Sequence, residues 1–342
     1  MTKHVADVAV IGAGALGLLS AMELNRRGKQ VTVFHDEPAR NPASWAGGGI
    51  LSPLFPWRYS DALTRLTRHA LEDYQALARE LEVDFEVAPQ GLLAVTDETE
   101  QVTGWCRRHK VTCERHPLGW FLPELGSVRN PWLIDRLREV LGERSVSIVA
   151  EQVTGIEEAG NGNGLNVVTE VSKHGFDAAV VAAGAWSAPL LIPWGVTLPV
   201  TPVKGQMLLW DLGEDCPDTV WLSDSGYFIP RGDGLCLFGS TMEPSFETSL
   251  PTREGYDRLC GNALRLKPSL AGKTPLAVWA GLRPGNIRDE PYIFPVDPQQ
   301  RLWVNTGHFR NGLVAAPASA RLLAQWMCGE SLEFDPAPYG AP

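Results

Sequence analysis

A glycine-rich turn near the amino terminus limits the folds open to this chain more than any other feature. The turn, Gly-Ala-Gly-Ala-Leu-Gly at 12–17, follows a β-branched apolar run at 5–11. It opens a segment, 16–27, whose apolar residues recur at helical spacing, and a second strand-like run follows at 30–34. Strand, glycine turn, helix and strand in this order predict a βαβ unit of the dinucleotide-binding (Rossmann) type. Its glycines would let a pyrophosphate approach the backbone at the amino end of the helix.

The end of the second predicted strand departs from the usual dinucleotide pattern. An acidic residue normally ends that strand and binds the ribose hydroxyls. This chain has His35 at that position and Asp36 one residue later. Either Asp36 takes the role through a different turn, or the ribose is bound more weakly than usual.

Charge and composition narrow the classes of partner. The chain has 342 residues and a formal net charge of -10, which gives no electrostatic footprint for nucleic acid. Its first apolar run is too short and too interrupted by glycine for a membrane span or a signal peptide, so we expect a cytoplasmic protein. The six cysteines have no C-x-x-C or zinc-finger spacing, so reduced thiols and no metal site are expected.

The rest of the chain alternates between two kinds of pattern. Three successive glycines, Gly47–Gly49, lie between apolar residues and indicate a packed loop whose backbone contacts something flat or charged. Helices are predicted at 61–82, 132–141, 253–266 and 314–327, and short strands and turns at 83–96 and 106–123. We therefore expect a mixed α/β fold, with a dinucleotide-binding domain interleaved with a sheet-rich substrate domain. The expected boundaries are 1–85, 142–198 and 276–342 for the first domain, and 86–141 and 199–275 for the second.

Six short segments together resemble one family of flavoenzymes, the FAD-dependent amine oxidases of the D-amino-acid oxidase type. The resemblance covers about 5–326 and is greatest to the glycine oxidase branch associated with thiamine biosynthesis. The matching segments are 12–17, 44–49, 182–187, 202–206, 281–284 and 307–312.

The resemblance implies that the cofactor is FAD, with the flavin ring reached by the 47–49 loop and by 307–313. A helix following 307–313 would place its positive dipole end near the N1–C2=O edge of the flavin. The residues assigned to FAD binding are Gly12, Gly14, Ala15, Gly17, Asp36, Ser44, Ala46, Gly47, Gly48, Gly49, Val153, Ala183, Gly184, Trp186, Gly307, His308, Arg310, Asn311, Gly312 and Leu313.

The resemblance also assigns catalytic positions. Arg283 stands where the family holds the substrate carboxylate, a task that suits the planar guanidinium fork; its apolar neighbours argue against an ordinary surface arginine. Arg310 is expected to polarise the flavin or assist carboxylate binding, and Tyr227 matches an active-site tyrosine. His308 is either a proton carrier or a residue that only shapes its loop.

The reaction implied is oxidation of glycine or another small amino acid or amine, by hydride transfer from the α-carbon to flavin N5. The imine product would hydrolyse, and the flavin would be reoxidised by O₂, which gives H₂O₂, or by another acceptor, a choice that the sequence leaves open. Orientation and exclusion of water would suffice, without a catalytic base. The alternative is a flavoprotein that oxidises a side chain of a partner protein; it would not need a carboxylate ligand at Arg283. A nicotinamide dehydrogenase is disfavoured, because the flavin-loop segments would have no role.

Overall fold

The computed structural model describes residues 7–36, 42–160, 162, 164–244 and 248–342. The predicted first strand therefore begins outside the described residues. The helices are α1 Ala15–Arg26, α2 Ala43–Ala46, α3 Asp61–Thr67, α4 Ala70–Leu81, α5 Thr99–His109, α6 Asn130–Glu143, α7 Ser187–Leu191, α8 Arg253–Leu266 and α9 Gly312–Met327.

The strands, in chain order, fall into three sheets. They are β1 Asp7–Ile11, β2 Gln30–His35, β3 Leu92–Ala94, β4 Glu114–His116, β5 Gly119–Leu122, β6 Ser147–Ala150, β7 Val153–Glu158, β8 Leu165–Thr169, β9 Lys173–Phe176, β10 Ala178–Val181, β11 Thr201–Asp211, β12 Val220–Ser223, β13 Gly226–Pro230, β14 Leu235–Gly239, β15 Glu243–Pro244, β16 Ala277–Gly285, β17 Tyr292–Pro295 and β18 Leu302–Thr306.

The chain folds into two compact units, each made of discontinuous segments. The first unit comprises Met1–Ala39, Ile134–Pro202 and Arg283–Pro342, and the second comprises Arg40–Leu133 and Val203–Leu282. In the first, a sheet of order β17-β18-β10-β1-β2-β6 is parallel except for β17. Its central strands are apolar on both faces, as parallel strands covered on both sides require. The antiparallel strands β7, β8 and β9 form a separate small sheet.

The second unit is built on a larger, mainly antiparallel sheet of order β15-β11-β14-β13-β12-β3-β5-β4, with β16 also paired to β11. Because side chains alternate along a strand, its two faces bury different residues. Met207, Tyr227 and Ile229 belong to one core. Trp210 and Phe228 belong to the other, which α8 covers.

The fold class is confirmed, with local exceptions. Helix 253–266 has the predicted bounds. The single helix predicted at 61–82 is wrong, because it breaks into α3 and α4; in α3 the hydroxyl of Thr67 donates to the carbonyl of Leu63, which competes with regular helix bonding. The prediction of strands and turns from residue 106 onward is also wrong for 106–109, which are helical. There α5 buries Val102, Trp105 and Cys106 at helical spacing.

The unit boundaries differ from the expected domain boundaries. Residues 42–85, expected in the cofactor-binding domain, group with the sheet-rich unit. The pairing explains this: Ile50 bridges Ser127, and the Leu51 N–H donates to the Gly126 carbonyl at 2.9 Å. None of the helices in the described ranges is both long and apolar enough to cross a membrane.

Candidate cofactor and substrate site

The glycine turn of the first unit is required by close packing of the backbone. Gly12 has φ +113°, and a Cβ there would lie 2.4 Å from the Ala182 carbonyl oxygen. A Cβ on Gly17 would lie 1.8 Å from the Gly12 carbonyl oxygen. Only glycine fits at either position. Gly14 then caps α1 without a side chain, and Ala15 begins the helix at the carboxyl end of β1.

Helices α1 and α9 run parallel, with their amino ends together. A Cβ on Gly312 would lie 3.6 Å from a methyl carbon of Leu16, at the start of α1. Beyond the other end, Arg27 pairs with Glu330 at 3.0 Å. Since each helix carries a partial positive charge at its amino end, the two together favour an anionic or electron-rich group.

The turn that precedes α9 is fixed by both packing and hydrogen bonds. Gly307 has φ +78°, a Cβ there would lie 2.7 Å from the Tyr292 ring, and its carbonyl accepts from Asn286 at 3.0 Å. His308 is buried and hydrogen-bonded to Ser319 Oγ at 3.0 Å. Burial lowers the His308 pKa to about 3, so the ring is neutral at neutral pH. This favours loop shaping over proton carriage for His308.

Asn311, at the end of the same turn, has an unsatisfied polar atom. Its side chain is buried, and its Oδ1 has no hydrogen-bond partner in the part of the chain that the structure describes. Buried polar atoms are nearly always paired. Since Gly312 and Leu313 start α9 directly after it, this oxygen marks a place for a donor on a bound molecule, which FAD can supply.

The turn after β10 lies beside the end of β18. A short 3₁₀ turn, Gly184–Trp186, lies there and is preceded by Ala183. The Thr306 hydroxyl donates to the Gly184 carbonyl at 3.1 Å and accepts from the Ser187 hydroxyl at 2.9 Å. The predicted cofactor residues at 183–186 and 307–313 therefore come from adjacent strand ends.

Two predicted cofactor residues lie at the far strands of this sheet. β2 ends at His35, which pairs with Ala150 of β6. Asp36 follows and is exposed, while half-buried Val153 begins β7 three residues after β6. Asp36 is thus at the carboxyl edge where a ribose ligand is expected, and its role stays a prediction.

The two predicted arginines differ in exposure. Arg283 is half-buried in β16 between buried Leu282 and Pro284, as its apolar neighbours predicted. Arg310 is exposed, with its guanidinium carbon 5.3 Å from the centroid of the Phe309 ring. Of the two, Arg283 has the more desolvated setting, in which a charge-assisted bond to a carboxylate is stronger.

The triple-glycine loop of the second unit is held by its carbonyl groups. Asn130 Nδ2 donates to the carbonyls of Ser44, Trp45 and Gly47 at 2.5, 3.0 and 2.9 Å. The Trp279 indole donates to the Ala46 carbonyl at 2.9 Å. Six successive carbonyls, 44–49, are fixed in this way once Gly48 and Gly49 are included.

The carbonyls of the last two glycines have their own donors. Arg231 Nη2 donates to Gly48 at 2.9 Å, and the Val128 N–H donates to Gly49 at 2.8 Å. Gly49 has φ +80°, and a Cβ there would lie 2.0 Å from the Val128 carbonyl oxygen, so glycine is required.

Fixing the loop carbonyls also fixes the direction of the N–H groups of Gly48 and Gly49. Because a trans peptide points its C=O and N–H in opposite directions, fixing the carbonyls of 47 and 48 turns these N–H groups the other way. Both glycines are buried, yet neither N–H has an acceptor within the described ranges. Two adjacent buried donors of this kind suit an acceptor-rich edge of a ligand.

Tyr227 lies against this loop. A Cβ on Gly48 would lie 3.2 Å from the Tyr227 ring and 2.4 Å from Ile229 Cδ1. The Tyr227 hydroxyl donates to the Met207 sulfur at 3.8 Å, a weak partner. The sheet-rich unit thus brings Tyr227 and the predicted loop residues together.

Sequence reasoning missed Asn130 and Arg231. Asn130 precedes a proline at a helix start, and Arg231 directly follows an apolar strand; both patterns are common and do not indicate a particular contact. Their partners Ser44 and Gly48 lie 86 and 183 residues away in sequence. No group of three or more potential metal ligands occurs in the described part of the chain.

Comparison with known proteins identifies the family. The glycine oxidase of Pseudomonas aeruginosa is 42% identical, with 97% of each chain covered, and that of Pseudomonas putida is 40% identical over the same shares. The crystal structure of glycine oxidase from Geobacillus kaustophilus matches with a TM-score of 0.89 at 25% identity, covering 99% of each chain. Residues 7–326 match the family described as FAD dependent oxidoreductase. The chain belongs to this family of FAD-dependent oxidoreductases, of the D-amino-acid oxidase type.

Proposed function

We propose that this enzyme is an oxidase of glycine or a similarly small amino acid. The net reaction for glycine consumes O₂ and water and releases glyoxylate, ammonia and H₂O₂. The observation that carries the proposal is the pair of buried N–H groups of Gly48 and Gly49, which have no acceptor among the described residues and lie beside Tyr227. The near full-length similarity to glycine oxidases supports the choice of substrate class.

The residues of the first unit fit FAD. The turn at 12–17 and the amino end of α1 would take the pyrophosphate, and Asn311 with the amino end of α9 would take polar groups of the ring. FAD bound there would supply the redox chemistry that removes a hydride from the substrate α-carbon and returns the electrons to O₂. The adjacent α1 and α9 dipoles supply positive potential without an ionisable group.

Arg283 is the proposed carboxylate ligand. Its guanidinium can pair with both carboxylate oxygens, which fixes the direction of the substrate as well as its charge. The half-buried setting of Arg283 limits screening by water. With the carboxylate held, the α C–H bond has one orientation, and orientation is the main contribution asked of the protein.

Tyr227 and Arg310 have lesser proposed roles. Tyr227 is buried, and its hydroxyl, bonded to a thioether, can turn to a better acceptor on the substrate. Arg310 is exposed, so it would contribute positive electrostatic potential at the site and would not make a contact shielded from water. His308, neutral and bonded to Ser319, shapes its turn.

The alternative of a flavoprotein that modifies a partner protein gains no support. The relatives compared above are named as glycine oxidases, and they match over nearly their whole length. A cytoplasmic location is part of our proposal, because all six cysteines are free thiols, which suits a reducing compartment.

Replacement of Arg283 tests this proposal. Arg283→Ala should keep FAD yet lower kcat/KM for the best amino acid by roughly thirtyfold to several thousandfold, equivalent to about 2–5 kcal/mol. Arg283→Lys should recover only part, because an ammonium cannot present two parallel donors. Arg321→Ala removes a half-buried arginine that pairs with Glu333 and is the matched control. An Arg283→Ala enzyme with wild-type efficiency would refute the assignment.

A further inference from the structure

Arg231 is a buried cation whose hydrogen bonds go to the glycine loop and its anchor. The residue is 7% exposed. Nη2 donates to the Gly48 carbonyl at 2.9 Å, while Nη1 donates to the Val128 carbonyl at 3.2 Å and to Ser127 Oγ at 3.4 Å. Ser127 and Val128 lie in the segment whose backbone pairs with Gly49 and Ile50. Arg231 therefore links the glycine loop to the segment that the loop pairs with.

No carboxylate forms an ion pair with Arg231 in the described residues. The two nearby acids, Glu86 and Asp233, instead bind Arg129 at 3.0 and 2.8 Å. Burial lowers the Arg231 pKa to about 10, and this still leaves the guanidinium charged at neutral pH. A buried charge without a direct ion pair is costly. Hydrogen bonds to neutral oxygens compensate it here, together with the nearby negative charge of Glu86.

The backbone around Arg231 fixes where its side chain starts. Its N–H donates to the Leu235 carbonyl at 2.8 Å, and the Gly232 N–H donates to Glu86 at 3.2 Å. The guanidinium thus reaches Gly48 from a β13–β14 turn that is itself held by hydrogen bonds. A flexible surface arginine would lose more side-chain entropy in making the same contact.

We propose that Arg231 is a positioning residue that orients and polarises the peptide joining Gly48 to Gly49. Holding the Gly48 carbonyl directs the Gly49 N–H the opposite way, which leaves this buried donor for an acceptor atom of the cofactor. A charged donor on the carbonyl also withdraws electrons from the peptide, which strengthens its N–H as a donor. This inference depends on FAD as the cofactor and not on which amino acid is oxidised.

The test compares Arg231→Met and Arg231→Lys with Arg129→Met as holoproteins. Arg129→Met removes a neighbouring positive charge that does not bind the loop. The readouts are the FAD dissociation constant, the visible flavin spectrum and the flavin midpoint potential, none of which needs a substrate. Arg231→Met should raise the dissociation constant about tenfold or more, shift the flavin absorption band and lower the midpoint potential.

Arg231→Lys keeps the charge but offers a single ammonium group in place of the guanidinium fork. Its three flavin readouts should therefore lie between those of Arg231→Met and those of the wild type. Arg129→Met should change the melting temperature while leaving all three flavin readouts as in the wild type. If Arg231→Met does not fold, the Lys variant decides by the same readouts. A folded Arg231 variant with wild-type flavin properties, or equal flavin changes in Arg129→Met, would overturn the proposal.

Discussion

The two glycine-rich segments of this enzyme use glycine for different physical reasons. At 12–17, backbone lies where a side chain would be, since a Cβ on Gly17 would meet the Gly12 carbonyl at 1.8 Å. At 46–48, distant side chains from Trp279, Asn130 and Arg231 hold the carbonyls. In the first segment the obstructing atoms are backbone, from Gly12 at position 17 and from Ala182 at position 12. The second is defined by residues that only the folded sheet brings near.

The largest expected effect tests the packing half of this comparison. Gly17→Ala should destabilise the protein by about 3 kcal/mol or more, because the obstructing atom is backbone and cannot move aside. Gly104→Ala is the matched control: it lies within α5 with nothing within 4 Å of an added Cβ, and it should stabilise by about 0.5–1 kcal/mol. Urea unfolding measures both. Equal effects from the two substitutions would mean that the Gly17 contact is not limiting.

Asn130→Leu tests the half that depends on side chains. It removes the donor to three loop carbonyls and should cost about 2–3 kcal/mol, with weaker FAD binding. Asn262→Leu also removes an amide donor to a carbonyl, but this carbonyl belongs to the exposed Ser225 and the hydrogen bond is open to water, so the change should cost under about 1 kcal/mol. Thermal unfolding and FAD titration give the two numbers. An Asn130→Leu protein with wild-type stability and FAD affinity would show that the loop keeps its conformation without the Asn130 hydrogen bonds.

His308 sharpens the comparison, because its turn combines packing at Gly307 with a side-chain bond to Ser319. Its pKa is about 3 when folded and near 6.5 when unfolded, so below 6.5 protons bind the unfolded chain first. This contribution to stability is therefore lost as pH falls from 6.5 toward 3, by about 1.4 kcal/mol per pH unit. His308→Asn has no imidazole and therefore lacks this pH-dependent contribution to stability.

The measurement is urea unfolding of the apoproteins at about pH 7 and about pH 5.5. The wild type should lose about 1.4 kcal/mol more than His308→Asn between these two conditions, because carboxylate titrations are common to both. Parallel stability curves would mean that the imidazole is hydrated, and that His308 remains available for proton transfer.

The contrast also explains what the sequence could predict. The βαβ unit follows from local patterns, and so do the glycines at 12 and 17, since strand, turn and helix are contiguous. The fold class and cofactor came from that unit together with the family resemblance. Asn130 and Arg231 were missed because hydrogen bonds across 86 and 183 residues leave no trace in spacing. The loop's place in the sheet-rich unit was missed for the same reason.

One measurement tests the central claim most directly: H₂O₂ formation by the purified FAD enzyme with amino acids and their carboxylate-free counterparts. Glycine is compared with methylamine, and sarcosine with dimethylamine, with O₂ uptake recorded in parallel. The account predicts peroxide from at least one of these amino acids, in equal amount to the O₂ consumed, and an efficiency at least roughly thirtyfold above that of its matched amine. An enzyme that forms no peroxide from either amino acid, or that oxidises the amines equally well, would contradict it.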